Sequence, residues 1–315
     1  MTELGFGEHR RIDLTSSVVT GLLDRAAMPP AGTEVTCAVS GGTDSLTLLV
    51  LAAAAGCSVT AVHVDHGLRA RSAGEAHVVA GVAELVGARF RAERVVVEPG
   101  PNLEARARQA RYDVLPTGVL TGHTADDRAE TMVLHLLRGA GPTGMVGIRR
   151  SGQRPLLDLR RHQTEALCRE LGLVPVDDES NRDRRFRRNR VRHEVLPLLA
   201  DIGDRDPVPV LVRQADLFAD LDALVSDAAA GLDPTSATEL AAAPPSVAGA
   251  AVRAWLAAAG VGHGYPAEAA AVERVLAVAR KERMATEVMG GWRLSRSHGR
   301  LSLTPPGPCK DAAHG

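Results

Sequence analysis

The chain has 315 residues, 45% of them hydrophobic and 24% charged, with a net charge of −1. That length predicts two domains, and the balanced charge admits a nucleic-acid partner only where cations cluster. Lys281 and Lys310 are the only lysines, which excludes an enzyme-lysine nucleophile upstream of them and leaves arginine to carry the positive charge.

Cys37, Cys57, Cys168 and Cys309 are far apart and form no C-x-x-C pair, which argues against a zinc ribbon, an iron–sulfur cluster or a thioredoxin-like site. Met1 to Ser17 is polar rather than a signal peptide, and the longest apolar run, Leu48 to Ala55, is too short to span a bilayer. The expectation is a soluble cytoplasmic protein with no membrane partner; the sequence leaves a homo-oligomer open.

Strand candidates Val35–Val39, Val59–Val64, Arg89–Val97 and Gly118–Thr121 alternate with helix candidates Asp44–Ala55, Ser72–Val86, Leu103–Leu115 and Ala125–Leu137. The alternation predicts an α/β fold, a parallel sheet with helices on both faces. In such sheets ligands bind beyond the carboxyl ends of the strands.

The first strand end carries Ser40-Gly41-Gly42-Thr43-Asp44-Ser45. A helix opening there points unpaired N–H groups and its positive dipole end at the turn, and two glycines let the backbone approach closely, so a phosphate is the natural occupant. Ser40 and Ser45 add hydroxyl donors, and Asp44 suits Mg²⁺ binding or loop orientation. The lysine of the usual P-loop is missing. The second strand end reads His63-Val64-Asp65-His66-Gly67-Leu68-Arg69. Alternating strand positions face opposite ways, which disfavours a metal site and leaves a structural turn or a nucleotide-edge loop.

Glu104, Arg108 and Arg111 share a helix face at i, i+4 and i+7, which a solvated ion-pair face explains as well as a functional one. In Gly122-His123-Thr124-Ala125-Asp126-Asp127-Arg128-Ala129-Glu130-Thr131, Asp126 and Asp127 suit a first helical turn. Asp127 and Glu130, at i and i+3, put two carboxylates on one face. That face wants a cation, either Mg²⁺ on a nucleotide or a substrate ammonium.

A helix is expected over about Arg161–Leu171. Beyond it, Arg182 to Arg192 holds seven arginines in eleven residues, interrupted by Phe186 and Asn189. So dense a run favours RNA backbone contact over a solvated face, with Arg182, Arg185, Arg187, Arg188, Arg190 and Arg192 as the contacts. Gly203 to Pro209 is proline-rich and charged and marks a boundary, giving a catalytic domain over 1–204 and a smaller, mainly helical domain over 205–315. The second domain carries no legible chemistry and is assigned to substrate selection; Thr286 to Leu303 alternates like a short hairpin.

Five stretches together carry a resemblance: S-G-G-T-D-S at Ser40, H-V-D-H-G-L-R at His63, E-x-x-A-R-x-x-R-Y at Glu104, G-H-T-A-D-D-R-A-E-T at Gly122 and the long D-E-S-N-x-D-x-x-F-x-R-N-x-V-R-H-E-V-L-P at Asp178. The chain is similar to the tRNA(Ile)-lysidine synthase family of the PP-loop ATP pyrophosphatases over most of its first two hundred residues, and more loosely at Val252–Leu256 and Gly290–Trp292. The resemblance implies that ATP adenylylates the wobble cytidine of a CAU anticodon in isoleucine tRNA. L-lysine then displaces AMP, and codon reading shifts from AUG to AUA. It also implies that Ser40, Gly41, Gly42, Thr43, Asp44 and Ser45 bind ATP together with His63, and that Asp44 holds Mg²⁺. Asp44, Arg108, Arg111 and Asp127 are the implied catalytic residues, and Asp127 with Glu130 the implied lysine site. The roles of His63, His66 and His123 are left open by spacing. The length leaves no room for the further domain of longer members. Arg128 stands where the family usually has glutamine, and is expected to turn outward. The alternatives are another PP-loop tRNA-modifying enzyme such as a thiolase, a small-molecule amide synthetase, or a non-catalytic ATP-sensing RNA-binding protein.

Overall fold

A computed structural model describes residues 11–65, 72–95, 110, 113–177, 183–262 and 267–306. Within residues 1–216, β1 (Glu34–Ala38), β2 (Ser58–Asp65), β3 (Arg89–Arg94) and β4 (Leu120–Thr121) form a parallel sheet in the order β3-β2-β1-β4. β1 pairs with β2 from Glu34↔Ser58 to Ala38↔Val62, and with β4 at Cys37↔Leu120 and Ala38↔Thr121. The strand order therefore reverses between β1 and β4, and a crevice opens beyond their carboxyl ends.

The helix Thr43–Ala54 leaves β1 directly, and Leu46, Leu48, Leu49 and Leu51 within it are fully buried. A helix apolar on every side must be covered on every side. The sheet covers one side, and the helices Ser17–Leu23 and Arg161–Glu170 pack on it from others. Ser72–Leu85 lies against β2 and β3. Two expected strands come out shorter. β3 ends at Arg94 as a largely exposed edge strand, and β4 joins the sheet only after Gly118, whose φ is 87°. Most of the expected helix Leu103–Leu115 lies outside the described residues.

The arginine run enters a continuous helical segment: Arg187–Arg190 is α-helical, Val191–Val195 a π-turn, and Leu196–Gly203 α-helical again. Pro197 has no N–H to give the His193 carbonyl four residues back, which accounts for the widened turn. The residues expected as a linker instead form a helix–helix corner. Asp204 takes the left-handed conformation that ends one helix, and Pro207 opens the next, Pro207–Ala230, a position proline tolerates. The compact units divide between Asp216 and Leu217, inside that helix.

The second unit holds the helices Ala237–Ala242, Pro245–Ala258 and Ala269–Ala279 and an antiparallel sheet of β5 (Ala285–Glu287), β6 (Arg293–Ser297) and β7 (Arg300–Thr304). The β6–β7 turn is His298-Gly299, both at positive φ, as a two-residue hairpin loop that matches strand twist requires. Val252, Leu256, Val275 and Leu294 are the centre of this unit's own core. Among the described residues no helix is long and apolar enough to cross a membrane.

Candidate active site

The crevice beyond β1, β2 and β4 is a cavity of about 530 Å³ whose wall includes Ser40, Gly42, Thr43, Asp44 and Ser45. Ser45 Oγ donates to the Gly42 carbonyl at 2.9 Å and accepts from the Ser40 amide at 3.2 Å, so the loop is braced from within. The helix that follows has Gly42 at its N-cap and no side-chain cap. Its first amides thus retain the donor capacity that an anion would fill. Asp44 does not cap this helix: its carboxylate accepts from the Thr164 hydroxyl and lies 3.6 Å from the Arg161 guanidinium.

Two glycines here are forced by close approach. Gly41 has φ 89°, and a Cβ on it would lie 2.7 Å from Val176. A Cβ on Gly122 would lie 2.7 Å from the Asp44 carbonyl oxygen. The loop after β4 and the loop after β1 therefore touch backbone to backbone.

On the cavity wall and behind it lies a cluster of three acids, Asp44, Asp127 and Glu130, and three arginines, Arg161, Arg188 and Arg192. Glu130 is fully buried and accepts from Arg161 at 2.8 Å, Arg188 at 2.9 Å and Arg192 at 2.7 Å. Asp127 Oδ2 accepts from the Thr124 amide and hydroxyl, closing the turn that opens the helix Ala125–Leu136, while its Oδ1 faces Arg161 at 3.0 Å. Burial by itself would raise the Glu130 pKa, but the Arg192 hydrogen bond and the Arg161 charge outweigh it and hold the group below the usual glutamate value. Asp44 goes the other way: burial and the neighbouring Asp127 charge push it up to about 6.

On the far side of His123 lies a second cavity of about 920 Å³, lined by Arg138, Arg149, Arg154, Arg185, Arg187 and Arg188 with Phe186 among them, and with no acidic residue on its wall. Arg188 among them also bonds to Glu130 and Arg185 to Asp183; with an exposed aromatic ring beside them, the arginines make a surface suited to a nucleic-acid backbone and an unstacked base. His123 borders both cavities, and no other described residue lines both.

The description of one family model, a PP-loop domain, fits residues 17–199. Among curated relatives, the tRNA(Ile)-lysidine synthase of Salinispora tropica is 40% identical over 314 residues, covering 89% of this chain and 93% of that protein. The chain belongs to the tRNA(Ile)-lysidine synthase family. The Nocardia farcinica tRNA(Ile)-lysidine synthase is 42% identical over 245 residues, 73% of this chain and 77% of that protein. A solved structure, the U34-tRNA thiolase NcsA of Methanococcus maripaludis, aligns with a TM-score of 0.53 at 13% identity over 64% of this chain and 79% of its own, a likeness of fold.

Within this chain the expected site residues separate. Ser40, Gly42, Thr43, Asp44, Ser45, Asp127 and Arg192 line the nucleotide cavity, with Gly41 turning the loop behind them. His63 does not: it is 2% exposed, and its Nδ1 meets the Val39 carbonyl at 2.9 Å, so it steadies the strand end beneath the loop while its neighbours Val62 and Val64 face the cavity. Glu130 is off the wall as well, buried behind Arg161. Arg188 and Arg192, expected at the surface, turn inward onto Glu130. Arg185 pairs with Asp183, and Arg190 with Glu194, while Arg187 is exposed on the groove. Arg108, Arg111 and Arg182 lie outside the described residues. Arg128 does not turn outward. It is 1% exposed and paired to Asp216 at 2.7 Å, because one residue past Asp127 is about 100° around the helix from the cavity face.

Sequence reasoning missed Arg161, and a signal existed. Arg160 and Arg161 open the helix Arg161–Glu170, where the dipole repels cations, so both needed acids. Asp126 takes Arg160 at 3.0 Å and the Arg161 amide at 2.8 Å. Arg138, Arg149 and Arg154 were missed because they are isolated arginines on connections outside the arginine run.

Glu130→Gln is expected to cost about 3 kcal/mol or more at neutral pH, since three guanidiniums lose their shared charge. Because the folded carboxyl sits below its ordinary value of 4.5, its stabilisation is full above that value and fades as the pH falls through the folded pKa. Denaturant melts of both proteins should therefore converge in acid; a gap independent of pH would assign the cost to packing. Gly122→Ala should push the phosphate loop aside and cut ATP affinity at least tenfold, as measured by nucleotide titration, with a smaller loss of melting temperature.

Proposed function

We propose that this chain uses ATP to adenylylate the wobble cytidine of isoleucine tRNA bearing a CAU anticodon, then joins free L-lysine to it, giving lysidine, AMP and diphosphate. The anticodon then reads AUA instead of AUG. The observation that carries this reading is that an arginine-lined groove and the phosphate-loop cavity adjoin, with His123 on the wall of both, so that an RNA surface lies next to the nucleotide site.

In the first step the base carbonyl oxygen bonds to the α-phosphorus as the bond to diphosphate breaks. The charge released is met by the uncapped amides at Thr43 to Ser45, the serine hydroxyls, and Arg161 and Arg192 on the wall. In the second step the lysine ε-amine bonds to the activated ring carbon, the carbon–oxygen bond to AMP breaks, and the amine gives up a proton. Asp127 orients the incoming amine. Glu130 acts through the arginines it holds rather than by touching lysine. An anticodon loop already splays its bases, so presenting one costs little.

Asp44 fits a Mg²⁺ that arrives on nucleotide phosphates: it is an acid whose raised pKa a divalent charge would lower again. Among the described residues no group of three or more His, Cys, Asp or Glu side chains is arranged to hold an ion. When bound, the ion supplies charge neutralisation on the departing diphosphate. Thiolation finds less support. Burial pushes Cys37 up to about 12 and Cys168 up to about 11, away from the thiolate that sulfur transfer requires.

Incubation with ATP, Mg²⁺, labelled lysine and the tRNA transcript should release AMP and label the RNA; no AMP release would end this reading. Asp127→Asn should abolish lysine incorporation while preserving ATP–pyrophosphate exchange, and equal loss of both would move Asp127 to the first step. Arg187→Ala should weaken tRNA binding and reduce the slope of log affinity against log salt by about 1, whereas an unchanged slope would leave Arg187 as a solvated surface residue.

A further inference from the structure

We infer that the Phe186 ring is a stacking platform for an unpaired base flanking the target nucleotide, so that the arginine groove holds the RNA by a base as well as by its backbone. This role rests on the proposed function for its substrate, and adds to it a residue that binds the RNA without charge.

A half-exposed phenylalanine needs no explanation by itself; the setting of this one does. Phe186 is 40% exposed on the groove wall, and among the described residues it is the only Phe, Tyr or Trp on either cavity wall. Its backbone is held from both sides. The Phe186 amide donates to the Asp183 carbonyl at 3.2 Å, the Asn189 side-chain amide donates to the same carbonyl at 2.9 Å, and the Arg190 amide donates to the Phe186 carbonyl at 3.2 Å. Phe186 is also the N-cap of the helix Arg187–Arg190, with extended φ and ψ of −84° and 118°, so its ring is not on the face that carries Arg188 and Arg192 inward to Glu130. The platform is therefore built before any RNA arrives.

The charges around the ring decide what can lie on it. Among the described residues Arg138 and Arg187 have no acid partner, and the groove wall carries no acid, so the surroundings favour an anionic strand over an apolar peptide. A single-stranded nucleic acid presents a flat π-face at every nucleotide, and aromatic side chains take those faces whatever the base. The groove adjoins the nucleotide cavity, with His123 on the wall of both. A target base that enters the nucleotide cavity leaves its neighbour in the strand without a stacking partner, and the Phe186 ring supplies the missing face.

The test is a double-mutant cycle between protein and RNA. Full-length tRNA is prepared intact and with an abasic residue at each of the two nucleotides flanking the target cytidine. Wild type, Phe186→Leu and Phe186→Trp are titrated with each RNA at several salt concentrations. Release of AMP by the wild type on the intact tRNA stands as the separate check on the proposed function. Removing the stacked base should cost wild type about tenfold in affinity. Phe186→Leu should lose about as much on the intact RNA and almost nothing further on that abasic one, while Phe186→Trp keeps the wild-type sensitivity. Stacking releases no counterions, so the slope of log affinity against log salt should be the same in all three proteins. An equal penalty in wild type and Phe186→Leu at both flanking positions overturns the inference. So does a loss of affinity in Phe186→Leu that comes with a shallower salt slope, since that would show displaced arginines instead of a lost ring. Should Phe186→Leu fail to fold, Phe186→Met carries the same cycle with the same two outcomes, since it too keeps apolar bulk and removes the ring.

Discussion

The carboxylate of Glu130 is the interaction on which the rest of the site depends. It is fully buried and takes hydrogen bonds from guanidiniums of Arg161, Arg188 and Arg192, which belong to two different stretches of chain. Removing a carboxylate from water is costly, and the cost is recovered only when its lone pairs are all met and the opposing charges are close. Here they are met three times over. The consequence is structural precision at a distance: Arg161, fixed from behind by Glu130, reaches forward to Asp127 and Asp44. The orientation of the phosphate loop's acid is thereby tied to the helix Ala125–Leu136, far along the sequence.

The same balance explains why the cluster holds no large net charge. Asp44, Asp127 and Glu130 face Arg161, Arg188 and Arg192, three charges of each sign. Glu130 has first claim on the arginines and sits below the usual glutamate value, whereas Asp44, farther from them and beside Asp127, is raised. Two acids of one cluster are thus pushed apart by position, the outer one being the group a cation would relieve. The cavity wall holds its polar groups ready, and the burial behind it keeps them from relaxing onto one another.

The strand and helix pattern, the phosphate loop and the paired aspartates were legible in the sequence because each is local: turn glycines, a helix start, and apolar runs of the right length. The role of Glu130 was not. Its spacing from Asp127 predicts a shared face, and the two do share partners, but which of them reaches the cavity is decided by packing against Arg161, thirty residues on. Arg128 shows the same limit, since Asp216, its partner, lies far along the chain. The arginine run was visible as composition, yet its division into inward and outward residues cannot be read without knowing where Glu130 sits. The arginines Arg138, Arg149 and Arg154 carry no local signature at all and become a surface only when their two connections meet the arginine run.

The near-absence of lysine gains meaning from this arrangement. A base activated by adenylylation is an electrophile toward any primary amine in reach, and an enzyme lysine beside it would compete with the substrate. Guanidinium groups avoid that hazard: they stay protonated at any working pH, they are poor nucleophiles, and their planar fork meets carboxylates and phosphates with two hydrogen bonds. Every cation on the two described cavity walls, histidines aside, is an arginine. A site that must carry dense positive charge for RNA and phosphate, and still leave the only reactive amine to the substrate, is constrained toward this composition by its own chemistry.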